Sequence, residues 1–171
     1  SHCLKNEHND KLLNTYQSER SSNVKEYIET TMRMGEFVNA VGKSPITNNI
    51  SADSKGRKSM KSIKPRLGQG LGDLKDKFRG KIFPQFIIKK NKKLDEKFSL
   101  KPALIISDEI KKNISSKIKL IKSKNIKNLE LFFKEHNCKA IIVRPDRFIL
   151  SSCTSVKNFN SYLNKNLSLL A

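Results

Sequence analysis

Several residue types that define common classes of protein are scarce in this sequence of 171 residues. Tryptophan is absent, aromatic residues make up 7% and apolar residues 36%, so the chain can bury only a modest core. No apolar run approaches the ~20 residues that a membrane-spanning helix needs, and no signal peptide is recognisable. We therefore expect a cytoplasmic protein with one ordinary domain, or with one small domain and appended elements.

Cysteine is also scarce, and its spacing excludes the common cysteine-based sites. Cys3, Cys138 and Cys153 form no CxxC pair, and an odd number of cysteines gives no complete disulfide framework. Dithiol exchange needs an attacking and a resolving thiol close together. We therefore interpret the cysteines as free, buried thiols in a reducing compartment, and we assign no metal site.

Acidic residues are few, since 16 Asp and Glu face 35 Lys and Arg, and the formal net charge is +19. Such a charge makes a stand-alone basic module that binds RNA or another polyanion the alternative hypothesis, because clustered cations neutralise phosphates. However, only seven of the basic residues are arginines, and the lysines are spread along most of the chain. We favour a solvated basic surface, with nucleic acid not a principal partner.

The first half of the chain is predicted to hold helices followed by a linker. Apolar residues recur at helical spacing over residues 10–41, and Ser21, Ser22 and Asn23 are predicted to end one helix and cap the next, with Glu26 in a capping-box position. Residues 42–80 are rich in Lys, Ser, Asn and Gly and show little periodicity. These residues are predicted to form a loop that connects two domains.

From residue 81 onward the pattern indicates an α/β domain. Strands are predicted at 82–90, 103–107, 118–122, 140–143 and 147–151. Helices are predicted at 108–117, from Ile126 to about Asn137 and at 156–170, and the Arg-Pro-Asp sequence before the last strand is typical of a tight turn. This order of elements is compatible with a thioredoxin-like fold, in which helices cover a mixed sheet, over residues 81–171.

The glycines Gly68, Gly70 and Gly72 resemble a phosphate-binding loop at first reading, because glycine lets backbone amides approach an anion. A dinucleotide-binding fingerprint lies between a strand and a helix, and a P-loop ends in GK[ST]. Neither context is present, so the sequence favours an ordinary loop.

Arg144, Asp146 and Arg147 form the most suggestive polar cluster. They could bind an anion or a partner, or an Asp–Arg pair could fix the hairpin turn. We favour the structural interpretation, because isolated turn charges rarely form a site without further convergent polar groups.

No catalytic, cofactor-binding or metal-binding residue is assigned. Ser151, Ser152 and Cys153 lack an elbow motif and a nearby base, and are interpreted as residues at the end of a strand. The histidines are too scattered to suggest a base with an orienting carboxylate: His2, His8 and His136.

Five segments, in order, resemble the FAD-dependent aromatic-ring hydroxylases, with the 3-(3-hydroxyphenyl)propionate hydroxylases and the phenol hydroxylases as the most similar members. LLNTYQSER at 12–20 resembles the LL-(D/N)-(S/T)-Y-x-x-E-R segment, and the following 24–38 resembles the long helix after it. PRLGQGL at 65–71 resembles the proline-glycine segment of the family. GKIFPQ at 80–85 and IVRPDRF at 142–148 resemble the entry and the late hairpin of the C-terminal domain.

The resemblance implies a flavoprotein monooxygenase that uses FAD, NAD(P)H and O2 to hydroxylate phenolic compounds. It implies that residues 1–41 are the last helices of a truncated FAD and substrate domain, 42–80 a linker, and 81–171 a redox-inactive thioredoxin-like domain used for structure or subunit contact, with a homo-oligomer possible. The family's GxGxxG, Asp-Gly and Gly-Asp motifs are missing. The chain begins without Met, and we expect it to be a C-terminal fragment that is inactive alone, with the FAD site outside it and the missing flavin domain as its partner.

Overall fold

The computed structural model describes residues 10–40, 50–52, 58–60, 63–89, 92–98, 101–111, 118–124 and 126–167. The chain divides into two compact units, Ser1–Gly68 and Gln69–Ala171, which are described separately. Within the described part of the chain, no helix is both long and apolar enough to cross a bilayer.

The first unit is built on one long helix, α1, Asp10–Ala40. The prediction that this segment breaks at residues 21–23 was wrong, because polar groups that often cap helices have other partners here. The Ser21 hydroxyl donates to the Gln17 carbonyl 2.6 Å away, within the preceding turn. The Asn23 amide donates to the carbonyl of Pro65 at 3.0 Å, a partner 42 positions later that local sequence cannot reveal.

The predicted linker contains regular structure. Strand β1, Ile50–Ala52, pairs antiparallel with β2, Lys58–Met60. Further along, the N–H of Gly68 donates to the carbonyl of Glu19 on α1 at 2.8 Å. Residues 41–49, 53–57 and 61–62 lie outside the described residues.

The second unit is an α/β structure with a four-stranded mixed sheet. Its strands are β5, Ala103–Ile106; β6, Lys119–Lys122; β7, Ala140–Val143; and β8, Ile149–Cys153. Their order is β6-β5-β7-β8, with β5 parallel to β6 and antiparallel to β7, and with β7 antiparallel to β8. A smaller pair, β3, Ile87–Lys89, and β4, Lys92–Lys93, precedes a 3₁₀ helix at Leu94–Lys97.

Apolar side chains cover both faces of this sheet. Ile105 and Ile141 face one core, where helix α2, Lys127–Glu135, contributes Leu129. Leu104 and Ile142 face the other core, where helix α3, Phe159–Leu167, contributes Phe159. Successive strand residues alternate between the two cores, which explains why β5 and β7 are continuous apolar runs.

The strands predicted at 103–107, 118–122 and 140–143 and the two later helices are confirmed, with ends that differ by a few residues. Other predictions were partly wrong. Over 82–90, Ile82 makes only an isolated bridge with Phe148, and the strand begins at Ile87. Residues 108–109 form a turn and 110–111 have no regular secondary structure, so no helix is present there, while 112–117 lie outside the described residues.

The second compact unit begins earlier than the predicted domain start at residue 81. Phe78 is buried in the sheet's first core, and the N–H of Gly80 donates to the Ile149 carbonyl at 2.8 Å. Residues before 81 therefore contribute to the sheet's packing.

Candidate functional site

The glycines Gly68 and Gly72 lie in close contact with neighbouring parts of the chain. A Cβ at position 68 would lie 2.6 Å from the Ser22 hydroxyl oxygen, so Gly68 is needed for close approach to α1. Gly72 has a φ of +91°, and a Cβ there would lie 2.5 Å from the Leu150 carbonyl oxygen. These glycines fit the ordinary-loop interpretation.

The same contacts test whether this segment could hold the pyrophosphate of FAD. A dinucleotide site needs backbone amides that point at the phosphates from the start of a helix. The amide of Gly68 already donates to the Glu19 carbonyl. Residues 63–81 are irregular and contain no helix start. The described residues of this segment therefore do not fit the cofactor, and an FAD site elsewhere in a longer protein stays a prediction.

Arg144 and Asp146 are brought together at the β7–β8 turn. The Arg144 guanidinium lies 2.8 Å from an Asp146 carboxylate oxygen, and the other carboxylate oxygen accepts the N–H of Phe148 at 3.3 Å. The N–H of Arg147 donates to the Arg144 carbonyl at 3.0 Å and closes the turn. The ion pair thus fixes the hairpin, as the structural interpretation proposed.

The side chain of Arg147 leaves the turn and contacts the 3₁₀ helix. Its guanidinium lies 2.8 Å from a carboxylate oxygen of Asp95, donates to the Asp95 carbonyl at 3.1 Å, and lies 4.1 Å from the ring centroid of Phe98. Arg147 also has a φ of 73°, a left-handed conformation that is uncommon outside glycine. No local sequence pattern indicates these partners, because Asp95 is 52 positions away.

The serines at the end of β8 lie beside residues that the sequence did not single out. Asp76 accepts the N–H of Ser152, the Ser152 hydroxyl at 2.8 Å, and the N–H of Phe78 at 2.8 Å. The Tyr162 hydroxyl donates to the Ser151 carbonyl at 3.0 Å. Asp76 stands in a segment without periodicity, so no local signal could have identified it.

These groups line a cleft of about 410 Å³. Lys165 on α3 also lines it and pairs with Asp73 at 3.6 Å. The Lys75 backbone N–H, with the Lys165 ammonium, holds the pKa of Asp73 below its ordinary value. Burial raises the pKa of Tyr162.

The cleft does not assemble a catalytic unit from the described residues. A serine nucleophile needs a base that can take its proton and a third group that orients the base. Here the Ser152 hydroxyl donates directly to Asp76, and no histidine lines the cleft. The hydrogen bonds fix the end of β8 against the 73–78 segment and against α3, so their role is structural.

The buried cysteines are poor nucleophiles. Cys138 and Cys153 are free thiols. Burial raises the pKa of Cys138 to about 11, and burial also raises the pKa of Cys153. Because the thiolate is the reactive form, both thiols are largely inert at neutral pH. Cys3 lies outside the described residues.

His136 lies in an aromatic cluster at the end of α2. Its ring centroid is 4.5 Å from that of Phe132 and 5.2 Å from that of Phe78, both edge-on. These ring contacts place His136 at the edge of the packed face of α2. His2 and His8 lie outside the described residues, and within the described ranges no group of three potential metal ligands occurs.

Comparisons with known proteins found no matching family model, no matching curated protein and no matching solved structure.

Proposed function

We propose that this chain is the C-terminal part of an FAD-dependent aromatic hydroxylase and serves as a structural and subunit-contact region without catalytic groups of its own. The intact enzyme would use NAD(P)H, FAD and O2 to add a hydroxyl group to a phenolic ring. Support comes from the five sequence segments that follow the family's order over nearly the whole chain. Such a role places the reacting groups in a preceding flavin and substrate domain.

The observation that carries this proposal is the apolar surface of α1. Seven large hydrophobic side chains of this helix are exposed, with Tyr16 at 68% and Val38 at 66% of their full accessibility; the others are Val24, Tyr27, Ile28, Met32 and Met34. A monomeric protein rarely exposes so many on one element. A helix that packs against the flavin domain in the intact enzyme would have such an apolar surface.

The sheet of the second unit supports a thioredoxin-like fold for the C-terminal domain. Such a fold has two parallel strands, then an antiparallel hairpin and a final helix, with helices on both faces of the sheet. Here β5 and β6 are parallel, β7 and β8 form the hairpin, and α3 follows. Helices α2 and α3 contribute to opposite cores.

The thiols support a domain without redox chemistry. The turn after β5, at residues 107–111, carries no cysteine. Cys138 and Cys153 belong to cores on opposite faces of the sheet, so they do not form a dithiol pair.

The decisive experiment compares this chain with the longer polypeptide encoded by the reading frame upstream of Ser1. We expect that frame to be open and to encode GxGxxG. We expect the longer protein to bind FAD stoichiometrically, while the present chain binds none and increases the fluorescence of a hydrophobic dye. A stop codon directly upstream, or stoichiometric FAD binding by the present chain, would refute the proposal.

A pair of variants tests the helix surface directly. In the longer protein, Met34→Lys combined with Val38→Lys is expected to lower the melting temperature, because both charges would enter the contact with the flavin domain. In the present chain the same changes should have little effect, since both positions are exposed. Glu36→Lys is the matched control, because at 100° per residue it lies on the opposite side of the helix.

A further inference from the structure

The two outer edges of the four-stranded sheet differ. On β8, the N–H of Ile149 donates to the Lys81 carbonyl at 2.9 Å, and the Ile149 carbonyl accepts the N–H of Gly80 at 2.8 Å. The N–H of Ser152 donates to the Asp76 carboxylate. Three outer backbone groups of β8 therefore have partners from the 76–81 segment, which lies along this edge and covers it.

Strand β6 forms the other edge. The N–H of Lys119 donates to the Pro102 carbonyl at 3.2 Å, and the N–H of Ser123 donates to the Ile106 carbonyl at 2.9 Å, so both point toward β5. Backbone groups of alternate strand residues point to opposite sides. The amides of Leu120 and Lys122 therefore point outward, and among the described strands the sheet ends here.

The side chains along this edge carry charge of one sign. Lys119, Lys122 and Lys124 are exposed, and residues 118–124 include no acidic residue. Lysines on an edge strand oppose pairing with a strand of the same charge. A second copy of β6 would bring equal positive charge, whereas a strand rich in Asp and Glu would meet complementary charge.

We propose that the outer edge of β6 binds an extended, acidic segment of a partner protein by β-strand addition. Backbone hydrogen bonds to Leu120 and Lys122 supply the pairing, and the lysines select an acidic strand over a basic one. This inference is independent of the proposed function, because it rests on the sheet edge alone.

The experiment uses the full chain and a synthetic peptide in which Glu alternates with Val. We expect binding at low ionic strength, with chemical-shift changes and slower hydrogen exchange at the amides of Leu120 and Lys122. A second peptide has the same number of Glu residues but a Pro at every third position, so it cannot form a strand. Heparin tests a general affinity for polyanions.

Variants of β6 separate the contribution of backbone hydrogen bonding from that of the lysine charges. Lys122→Pro removes one outward N–H and should abolish binding, while Lys122→Gln removes only the charge and should weaken it about threefold. Lys119→Glu with Lys122→Glu should weaken it about tenfold. Lys157→Glu with Lys165→Glu makes the same charge change near α3 and should leave the amide shifts at β6 intact. Circular dichroism checks that every variant is folded.

The proposal would be overturned by no binding of the alternating peptide, by equal binding of the Pro-containing peptide, or by shift changes that spare Leu120 and Lys122. If heparin competes fully and shifts the same amides, the surface is a polyanion site and strand addition is refuted.

Discussion

Helix α1 and the four-stranded sheet distribute polar and apolar residues in opposite ways. In the sheet, residues such as Ile105 and Ile141 are fully buried in the core to which α2 contributes. On α1, Asn23 is buried with 1% exposure, whereas Tyr27 and Met34 remain accessible. The sheet thus has its core within its own unit, whereas α1, among its described side chains, buries polar ones and exposes large apolar ones.

This difference indicates how each region is stabilised. Burial of apolar area supplies most of the stability of a domain, and the second unit has two buried apolar cores of its own. The helix gains little from tertiary burial, and long isolated helices depend on packing of an amphipathic face. Under the proposed function, the flavin domain would supply the surface that stabilises α1.

The largest expected effect contrasts a core position with a helix position. Ile141→Ala should lower the free energy of unfolding by about 2–5 kcal/mol, because it leaves a cavity beside fully buried neighbours. Met34→Ala should change it by less than about 0.5 kcal/mol, since Met34 is exposed. Urea denaturation followed by circular dichroism measures both. Equal losses would mean that α1 is packed as tightly as the sheet.

Two glycines sharpen the contrast. Gly72→Ala should destabilise the protein by about 1–3 kcal/mol, because φ is +91° and the new methyl group would meet the Leu150 carbonyl. Gly35→Ala, in α1 with no atom within 4 Å of the new Cβ, should stabilise it by about 0.5–1 kcal/mol. The melting temperatures of both variants show whether each substitution stabilises or destabilises the protein. Destabilisation by Gly35→Ala would show that α1 is covered.

Asp76→Ala should cost about 1–2 kcal/mol, because the N–H groups of Ser152 and Phe78 lose their acceptor. We expect faster hydrogen exchange at β8 with little change at β6. The control is Glu135→Ala, at an exposed position near the end of α2. If the exchange at β8 stays slow, Asp76 does not hold that edge.

The last prediction concerns the chemical reactivity of the buried thiols instead of the stability of the fold. In a Cys3→Ser background, Cys138 should react with iodoacetamide at pH 8 about a hundredfold more slowly than a free thiol, because its pKa is raised to about 11. The rate should rise as the pH approaches 11, and urea should restore ordinary reactivity. Mass spectrometry follows each site. Fast labelling of the folded chain at pH 8 would contradict the burial of this thiol.

Sequence patterns predicted the elements that carry a recognisable local pattern of apolar residues. The apolar runs at 103–107 and 140–143 and the spacing of Ile126, Leu129 and Phe133 indicated β5, β7 and α2 correctly. Short-range rules failed where a distant partner decides the outcome. Ser21 and Asn23 have the chemistry of caps, yet the Asn23 amide bonds to Pro65 and α1 continues.

The candidate sites show the same limit. The Arg144–Asp146 pair was predictable because two positions separate its members. The contacts of Asp76 with Ser152 join residues 76 positions apart, and no periodicity indicates them. What the sequence could not supply was the set of long-range hydrogen bonds that turns an irregular segment into the cover of a sheet edge.

The closed edge of β8 limits how this sheet can grow. A sheet with two open edges can add strands on both sides, which is how ribbons and fibres extend. Here the 76–81 segment bonds to one side, so among the described strands of this sheet β6 is the edge left to accept a strand. If β6 accepts the proposed strand, growth through the four described strands would stop after that one addition, and the domain would be the terminus of a chain of strands instead of a link within it.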